Sequence, residues 1–129
     1  MEDARFNVEI DSDSLEKTII GFYEDIIIGG REVRAKIDTG ASVSSIDSSL
    51  AEVLKAGPVV SRTTIVNAHG RDVRPVVRLE VEMGGKKMNA RFNVAARGHM
   101  RYQVLIGKNI LRKGFIIDPK KRLKKKAKD

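Results

Sequence analysis

The sequence contains no cysteine and only two histidines, His69 and His99. It therefore has no disulfide, no thiolate nucleophile and no cysteine ligand for a metal. The His-Glu-x-x-His motif of zinc peptidases is also absent, so we expect no metal. Because no glycine-rich loop ends in Gly-Lys-Ser or Gly-Lys-Thr, nothing indicates ATP binding, and we expect no cofactor.

Aromatic residues and long apolar runs are scarce as well. No stretch of about 18 apolar residues occurs, so we expect no membrane helix. The first residues, Met1 to Ala4, are acidic and no apolar segment follows them, which argues against a secretory signal and favours a cytoplasmic protein of a prokaryote. Aromatic residues make up only 5% of the 129 residues, so the core of this single domain must be aliphatic. Isoleucine and valine favour strands over helices.

The formal net charge of +8 is unevenly distributed along the chain. Residues 120–129 carry seven basic side chains and one acidic one, whereas the first twenty residues are acidic. Such a basic run stays solvated and attracts polyanions without specificity. We interpret residues 1–18 as a polar N-terminal segment, 19–119 as the folded domain and 120–129 as a basic, disordered tail. Nucleic-acid binding by the tail is an alternative, although no aromatic stacking platform accompanies it in the sequence.

Apolar and turn residues alternate in a pattern that predicts mostly strands. Segments of strand length occur at residues 19–28, 32–37, 59–66, 73–83, 86–95, 103–106 and 115–117. An edge strand is also predicted by the alternation of Phe6, Val8 and Ile10. Tight turns are predicted at Gly29-Gly30, at Asn67-Ala68-His69-Gly70 and at Gly84-Gly85. The pattern predicts an all-β fold, namely a small barrel.

One or two short helices interrupt the predicted strands. Asp47 or Ser48 can cap a helix that continues through Leu54 and is ended by Gly57-Pro58. A second helical turn is predicted over residues 108–112, between two glycines. The predicted fold is therefore a small barrel with one or two short helices.

The sequence Asp38-Thr39-Gly40 follows an apolar strand directly and is a candidate for chemistry. Gly40 can supply a positive φ and let another backbone approach closely, and Thr39 can hydrogen-bond across such a turn. Taken alone, this short string is equally explained by an ordinary Asx turn. Small residues follow it, and about sixty residues later the segment Val104 to Leu111 combines an apolar strand, a glycine and a helical turn.

Both segments resemble those of a known peptidase family. Asp38-Thr39-Gly40-Ala41 resembles the active-site loop of retropepsins. Val104 to Leu111 resembles the apolar-apolar-Gly-Arg-Asn-apolar-Leu segment near the retropepsin C terminus, with Lys108 in place of the arginine. A closer resemblance is to the prokaryotic retropepsin-like peptidases often labelled "ATP-dependent zinc protease", through Lys36 to Ala41 and Phe115 to Pro119. The resemblance covers roughly residues 20–119 and implies a small closed retropepsin-like β-barrel.

The sequence departs from the pattern of this prokaryotic family at two positions. Ser42 stands where the family has arginine, and Asp47 stands where it commonly has histidine. Neither change touches the minimal catalytic group, so we expect an altered specificity rather than a different reaction. The zinc and ATP parts of the family label find no support among the residues.

The resemblance implies an aspartic endopeptidase and assigns roles to individual residues. The catalytic residues would be Asp38, Thr39 and Gly40. Substrate would be bound by Ala41, Ser42 and a flap made of Asn67, Ala68, His69 and Gly70. The active loop would be supported by Ile106, Gly107 and Asn109. The alternative interpretation of the predicted flap is a plain surface hairpin, and we interpret His99 as a loop residue.

Peptide hydrolysis by carboxylates requires two of them at one water molecule. The chain has one Asp-Thr-Gly, so the second Asp38 would come from a second copy related by two-fold symmetry. We therefore expect a homodimer that acts on peptide or protein substrates. The competing hypothesis is a retropepsin-fold module for binding or dimerisation with weak or no hydrolysis, because a fold does not by itself imply a function.

Overall fold

The computed structural model describes residues 17–96 and 101–123. The strand predicted at Phe6, Val8 and Ile10 lies outside the described residues, as do His99 and the end of the basic tail. Among the described residues, no helix is both long and apolar enough to cross a bilayer.

The described residues form nine strands and two short helices. In chain order these are β1 (Thr18–Ile20), β2 (Tyr23–Ile28), β3 (Arg31–Ile37), β4 (Ser44–Asp47), α1 (Ser48–Val53), β5 (Val59–Asn67), β6 (Gly70–Met83), β7 (Lys86–Ala95), β8 (Val104–Ile106), α2 (Lys108–Leu111) and β9 (Phe115–Ile117).

Six of the strands close into a barrel. The larger sheet has the order β2-β3-β8-β4-β7-β6-β5, and β2 also pairs with β6. The closing contact is short, with Ile27 opposite Glu82 and Ile28 opposite Val81. Strand β5 lies outside the closed ring and extends with β6 as a long hairpin. The predicted fold class, a closed retropepsin-like barrel with one or two short helices, is confirmed.

The core inside the barrel is aliphatic, as the scarcity of aromatic residues predicted. Alternate residues of β6 point inward, so Val77, Leu79, Val81 and Met83 are all buried. Phe92 is the one aromatic side chain that is fully buried among the described residues. Each such large apolar side chain contributes roughly 1.5–3 kcal/mol by its removal from water.

The two double-glycine turns form hairpins at the predicted places. Gly29 and Gly30 have φ of 55° and 84°, and Gly84 and Gly85 have φ of 58° and 81°. Two successive left-handed residues match the twist of antiparallel strands, and glycine adopts them without steric cost. These turns fix the register of β2 against β3 and of β6 against β7.

Helix α1 begins as predicted but ends earlier. Asp47 is its N-cap, and the Asp47 side chain accepts a hydrogen bond of 3.0 Å from the backbone N–H of Ser49. The predicted end at Leu54 is one residue too late, because the last helical residue is Val53 and Leu54 is the C-cap. The chain leaves the helix at Lys55, whose φ of 54° is left-handed.

Strands β1 and β9 pair in parallel at one end of the barrel, and the chain continues from them over its surface. The Lys121 ammonium lies 2.8 Å from Oε2 of Glu24, a carboxylate that is only 8% exposed. The same oxygen accepts a hydrogen bond of 2.7 Å from the backbone N–H of Gly21. A Cβ on Gly21 would lie 2.7 Å from the carbonyl oxygen of Lys121. The first residues of the basic segment are therefore packed against the barrel.

Candidate active site

The Asp-Thr-Gly loop begins where two parallel strands of the barrel end together. Ile37 of β3 lies opposite Ile106 of β8, although the two are far apart in sequence. The backbone N–H of Asp38 donates a hydrogen bond of 2.8 Å to the carbonyl oxygen of Ile106. This pairing brings the two segments that resemble retropepsins into direct contact.

The loop itself is an Asx turn with an exposed tip. The backbone N–H of Gly40 donates to Oδ1 of Asp38 at 2.9 Å, and the N–H of Ala41 donates to the carbonyl of Asp38 at 3.3 Å. Thr39 and Gly40 are exposed, and Asp38 is partly exposed. The prediction of a positive φ at Gly40 is wrong, since Gly40 is not among the residues with positive φ. A Cβ there would lie 3.3 Å from Oδ1 of Asp38, so the absent side chain gives room to that carboxylate.

A hydrogen-bond network centred on Asn109 holds the chain that follows the loop. Oδ1 of Asn109 accepts from the backbone N–H of Ser44 at 2.9 Å and from its hydroxyl at 2.8 Å. The Ser44 hydroxyl oxygen accepts in turn from the backbone N–H of Gly107 at 2.9 Å. The Asn109 side chain also donates to the carbonyl of Arg91 at 3.0 Å. One asparagine side chain therefore joins β4, β7 and α2 beneath the loop.

A close backbone approach within the chain occurs at Gly107. A Cβ on Gly107 would lie 2.8 Å from the carbonyl oxygen of Ala41 and 2.9 Å from the carbonyl carbon of Val43. The N-terminus of α2 is consequently pressed against the loop. The backbone N–H groups of Lys108 and Asn109 donate to the carbonyls of Ala41 and Ser42, at 2.8 and 3.1 Å.

Two cavities meet at the Asp38 carboxylate. The first, of about 600 Å³, is lined by Tyr23, Lys36, Ile37, Asp38, Thr39, Arg101, Tyr102 and Leu105. The second, of about 560 Å³, is lined by Asp38, Gly40, Ala41, Ser42, Val43, Ser45, residues 63–66, Arg74, Asn93 and Leu105. Asp38 and Leu105 belong to both. The two cavities therefore adjoin at Asp38.

The long β5–β6 hairpin forms one wall of the second cavity. Its turn lies at Ala68 and His69, as predicted, and β6 begins at Gly70. The wall is made by residues 63–66 of β5, whereas Ala68, His69 and Gly70 do not line either of the two cavities. In the single chain the hairpin tip thus extends beyond the cavities that contain Asp38.

Sequence reasoning missed several polar residues of the second cavity. Nη1 of Arg74 donates to Oδ1 of Asn93 at 3.2 Å, while Nε of Arg74 bonds to Asp72 at 2.7 Å. The Ser45 hydroxyl is buried and has no hydrogen-bond partner within the described part of the chain. The sequence contained one signal for this polar group, namely Asn93. Asparagine is disfavoured in strands, yet Asn93 lies inside an apolar strand segment.

The two positions that depart from the prokaryotic family pattern have distinct surroundings. Ser42 is exposed and lines the second cavity beside Ala41. Asp47 is only 1% exposed and caps α1, so this carboxylate has a structural partner. Over residues 17–96 and 101–123, no three His, Asp or Glu side chains are grouped so that they could hold a metal ion.

Comparison with protein families gives one match. A family model described as "RimB-like: Retropepsin-like aspartic endopeptidase RimB" matches residues 48–128. The matched range contains Gly107 and Asn109 and begins after the Asp38 loop, so the link to Asp38 comes from the contacts above. No curated protein matches the sequence.

Solved structures share the fold at low sequence identity. Protein Lpg0085 of unknown function from Legionella pneumophila is 22% identical, with a TM-score of 0.56, and the match covers 79% of this chain and 93% of that one. The EIAV protease in complex with inhibitor HBY-793 is 22% identical, with a TM-score of 0.60 and coverage of 76% and 88%. The simian foamy virus (mac) protease is 19% identical, with a TM-score of 0.55 and coverage of 70% and 91%.

Proposed function

Since the chain belongs to the RimB-like family of retropepsin-like aspartic endopeptidases, we propose that it hydrolyses peptide bonds as a homodimer. The single observation that carries this proposal is the position of Asp38. Its carboxylate is partly exposed where two cavities meet, on a loop that β8 and α2 hold by backbone hydrogen bonds. Family and fold support the class of enzyme, and this geometry supports the residue.

The proposed reaction uses the two Asp38 carboxylates of a dimer as one unit. Two carboxylates that face each other closely share a single proton, because two like charges cannot both form easily there. The ionised one takes a proton from water as the water oxygen attacks the peptide carbonyl carbon. The protonated one gives its proton to the carbonyl oxygen. The tetrahedral intermediate then collapses and the C–N bond breaks. The leaving nitrogen takes a proton from one carboxyl group, and a hydroxyl of the intermediate gives its proton to the other, so the pair again shares one proton.

The exposed tip of the loop supports the two-fold arrangement. Thr39 and Gly40 are exposed in the single chain, although the backbone on either side of them is held tightly. We assign them to the contact between the two loops, where Thr39 hydrogen-bonds across the axis and Gly40 permits the approach. One Asp-Thr-Gly in a chain supplies half of the required carboxylates, so activity depends on this contact.

Substrate binding is assigned to the two cavities and the hairpins over them. Ala41 and Ser42 line the second cavity, and the turn from Asn67 to Gly70 extends past it, in a position to reach substrate held by both subunits. The buried Ser45 hydroxyl, which has no hydrogen-bond partner among the described residues, supports this assignment, because a buried hydroxyl gains about 1 kcal/mol or more from a hydrogen bond to a ligand. Ile106, Gly107 and Asn109 act through the loop that they position.

The test compares the wild type with Asp38→Asn on an unfolded protein substrate, from about pH 3 to about pH 8. Glu80→Gln, which removes an exposed carboxylate on the barrel exterior, is the control. We expect cleavage by the wild type and by Glu80→Gln, inhibition by a statine-type compound, and no cleavage by Asp38→Asn. Equal cleavage by all three proteins would show that the activity does not come from Asp38.

A further inference from the structure

Both tyrosines of the chain stack on each other at the surface. The rings of Tyr23 and Tyr102 have centroids 5.0 Å apart and are inclined by 28°. The guanidinium carbon of Arg101 lies 5.9 Å from the centroid of Tyr102. Next to them Phe22 is 50% exposed, and Tyr23 itself is 39% exposed. In a chain with only six aromatic residues, this grouping of three on one surface is not explained by the core.

Basic side chains surround these rings. A cavity of about 300 Å³ is lined by Phe22, Tyr23, Arg34, Tyr102, Pro119, Lys121, Arg122 and Leu123. The adjoining cavity that contains Asp38 shares both tyrosines and adds Lys36 and Arg101. We call the three rings together with Arg34, Lys36, Arg101, Lys121 and Arg122 the tyrosine surface. Among the described residues, no acidic side chain lines its smaller cavity, although Arg34 pairs with Asp25 at 3.0 Å and Lys121 with Glu24 at 2.8 Å.

The start of the basic segment lies beside the aromatic rings in the structure. In the sequence, no aromatic platform accompanies this segment. The structure brings Lys121, Arg122 and Leu123 against Tyr23 and Tyr102, which stand far from them along the chain. The lysines at positions 124, 125, 126 and 128 follow directly in the sequence.

Aromatic faces bordered by Arg and Lys match the chemistry of single-stranded nucleic acids. Unpaired bases stack on aromatic rings, and each stack is worth about 1–3 kcal/mol whatever the base, while Lys and Arg bind the phosphates. A duplex keeps its bases stacked on each other and cannot use the rings in this way. We propose that the tyrosine surface binds single-stranded nucleic acid, with bases on the rings and phosphates on Lys36, Arg101 and Arg122.

Fluorescence anisotropy with a labelled single-stranded RNA of about 12 nucleotides tests this proposal on the full chain. Replacement of both rings, Tyr23→Leu with Tyr102→Leu, is expected to weaken binding about tenfold or more. Tyr23→Phe with Tyr102→Phe keeps the rings and should bind within about twofold of the wild type. Loss of binding in the phenylalanine variant, or unchanged binding in the leucine variant, contradicts stacking.

Two pairs of arginines provide a matched charge control. Arg101→Ser with Arg122→Ser removes two charges from the tyrosine surface, and Arg62→Ser with Arg71→Ser removes two from the β5–β6 hairpin. We expect the first pair to weaken binding about tenfold and to flatten its salt dependence, and the second pair to change it by less than about threefold. Equal weakening by both pairs would mean attraction by net charge alone and would overturn the proposal.

Comparison with single-stranded DNA and with duplex RNA completes the experiment. Single-stranded RNA and DNA of the same sequence distinguish the two sources of this chemistry, and tight binding of either supports the surface. Duplex RNA of equal length should bind more weakly than the single strand at about 150 mM salt. Duplex binding as tight as single-strand binding would contradict the role of the exposed rings.

Discussion

Ser44 and Asn109, 65 residues apart in the chain, are joined by two hydrogen bonds to one amide oxygen. The Ser44 hydroxyl oxygen also accepts a hydrogen bond from the N–H of Gly107. The Ser44 hydroxyl thus donates to the Asn109 side chain and accepts from the Gly107 backbone. This small network links the strand after the Asp38 loop to the helix that packs against that loop. We infer that this contact positions the Asp38 loop relative to the β8–α2 segment.

We expect Ser44→Ala to destabilise the protein by about 2 kcal/mol, because the buried N–H of Gly107 then loses its acceptor. Urea unfolding measures the change. Ser61→Ala, at an exposed position of β5, is the control and should shift the midpoint little. Equal midpoints for the two variants would show that the network adds no stability.

Gly107→Ala and Gly85→Ala separate a steric cost from a conformational one. At Gly107 a Cβ would meet backbone atoms of Ala41 and Val43 within 3.0 Å, and backbone cannot move aside easily. We expect a loss of about 3 kcal/mol there, together with loss of cleavage as the loop shifts. At Gly85 nothing lies within 4 Å, and only its φ of 81° opposes alanine, so we expect about 1–2 kcal/mol with cleavage retained.

These outcomes are read from unfolding curves and cleavage rates of the two glycine variants. If Gly107→Ala is no less stable than Gly85→Ala, the close approach of α2 to the loop does not constrain the fold.

Mixed dimers test the shared active site directly. After subunit exchange, about a ninefold excess of Asp38→Asn leaves about one wild-type chain in ten with a wild-type partner. We therefore expect cleavage per wild-type chain to fall about tenfold, and an equal excess of Glu80→Gln should leave it unchanged. Cleavage that is insensitive to the Asp38→Asn chain would indicate a site complete within one subunit.

Lys121→Met removes the cation that faces the buried Glu24 carboxylate. Because the lysine side chain is partly exposed, we expect a moderate loss of stability, about 1–2 kcal/mol. Lys120→Met removes the same charge from the neighbouring exposed position and serves as the control. Thermal unfolding of both variants measures the effect, and equal melting temperatures would mean that the contact does not hold the segment on the barrel.

Strands and turns were predictable from the sequence wherever the pattern that indicates them lies in neighbouring residues. Alternation along β6 and the paired glycines before β3 and β7 depend on neighbours in sequence, and the structure confirms both. Helix α1 shows the limit of such reasoning, because its start at Asp47 has a capping signal whereas its end at Val53 has none as clear as Gly57-Pro58. The left-handed residue that ends the helix is a lysine, which carries no such signal.

The sequence by itself determined the class of fold and the loop at Asp38, because strand periodicity, turn glycines and a short motif are all written in neighbouring residues. Only the tertiary structure decided that the backbone of the Asp38 loop comes close to Gly107, and that Tyr23 meets Tyr102. Closing a barrel brings together segments from distant parts of the chain. Which side chains meet there depends on strand order and register, and these are settled by the packing of the whole core.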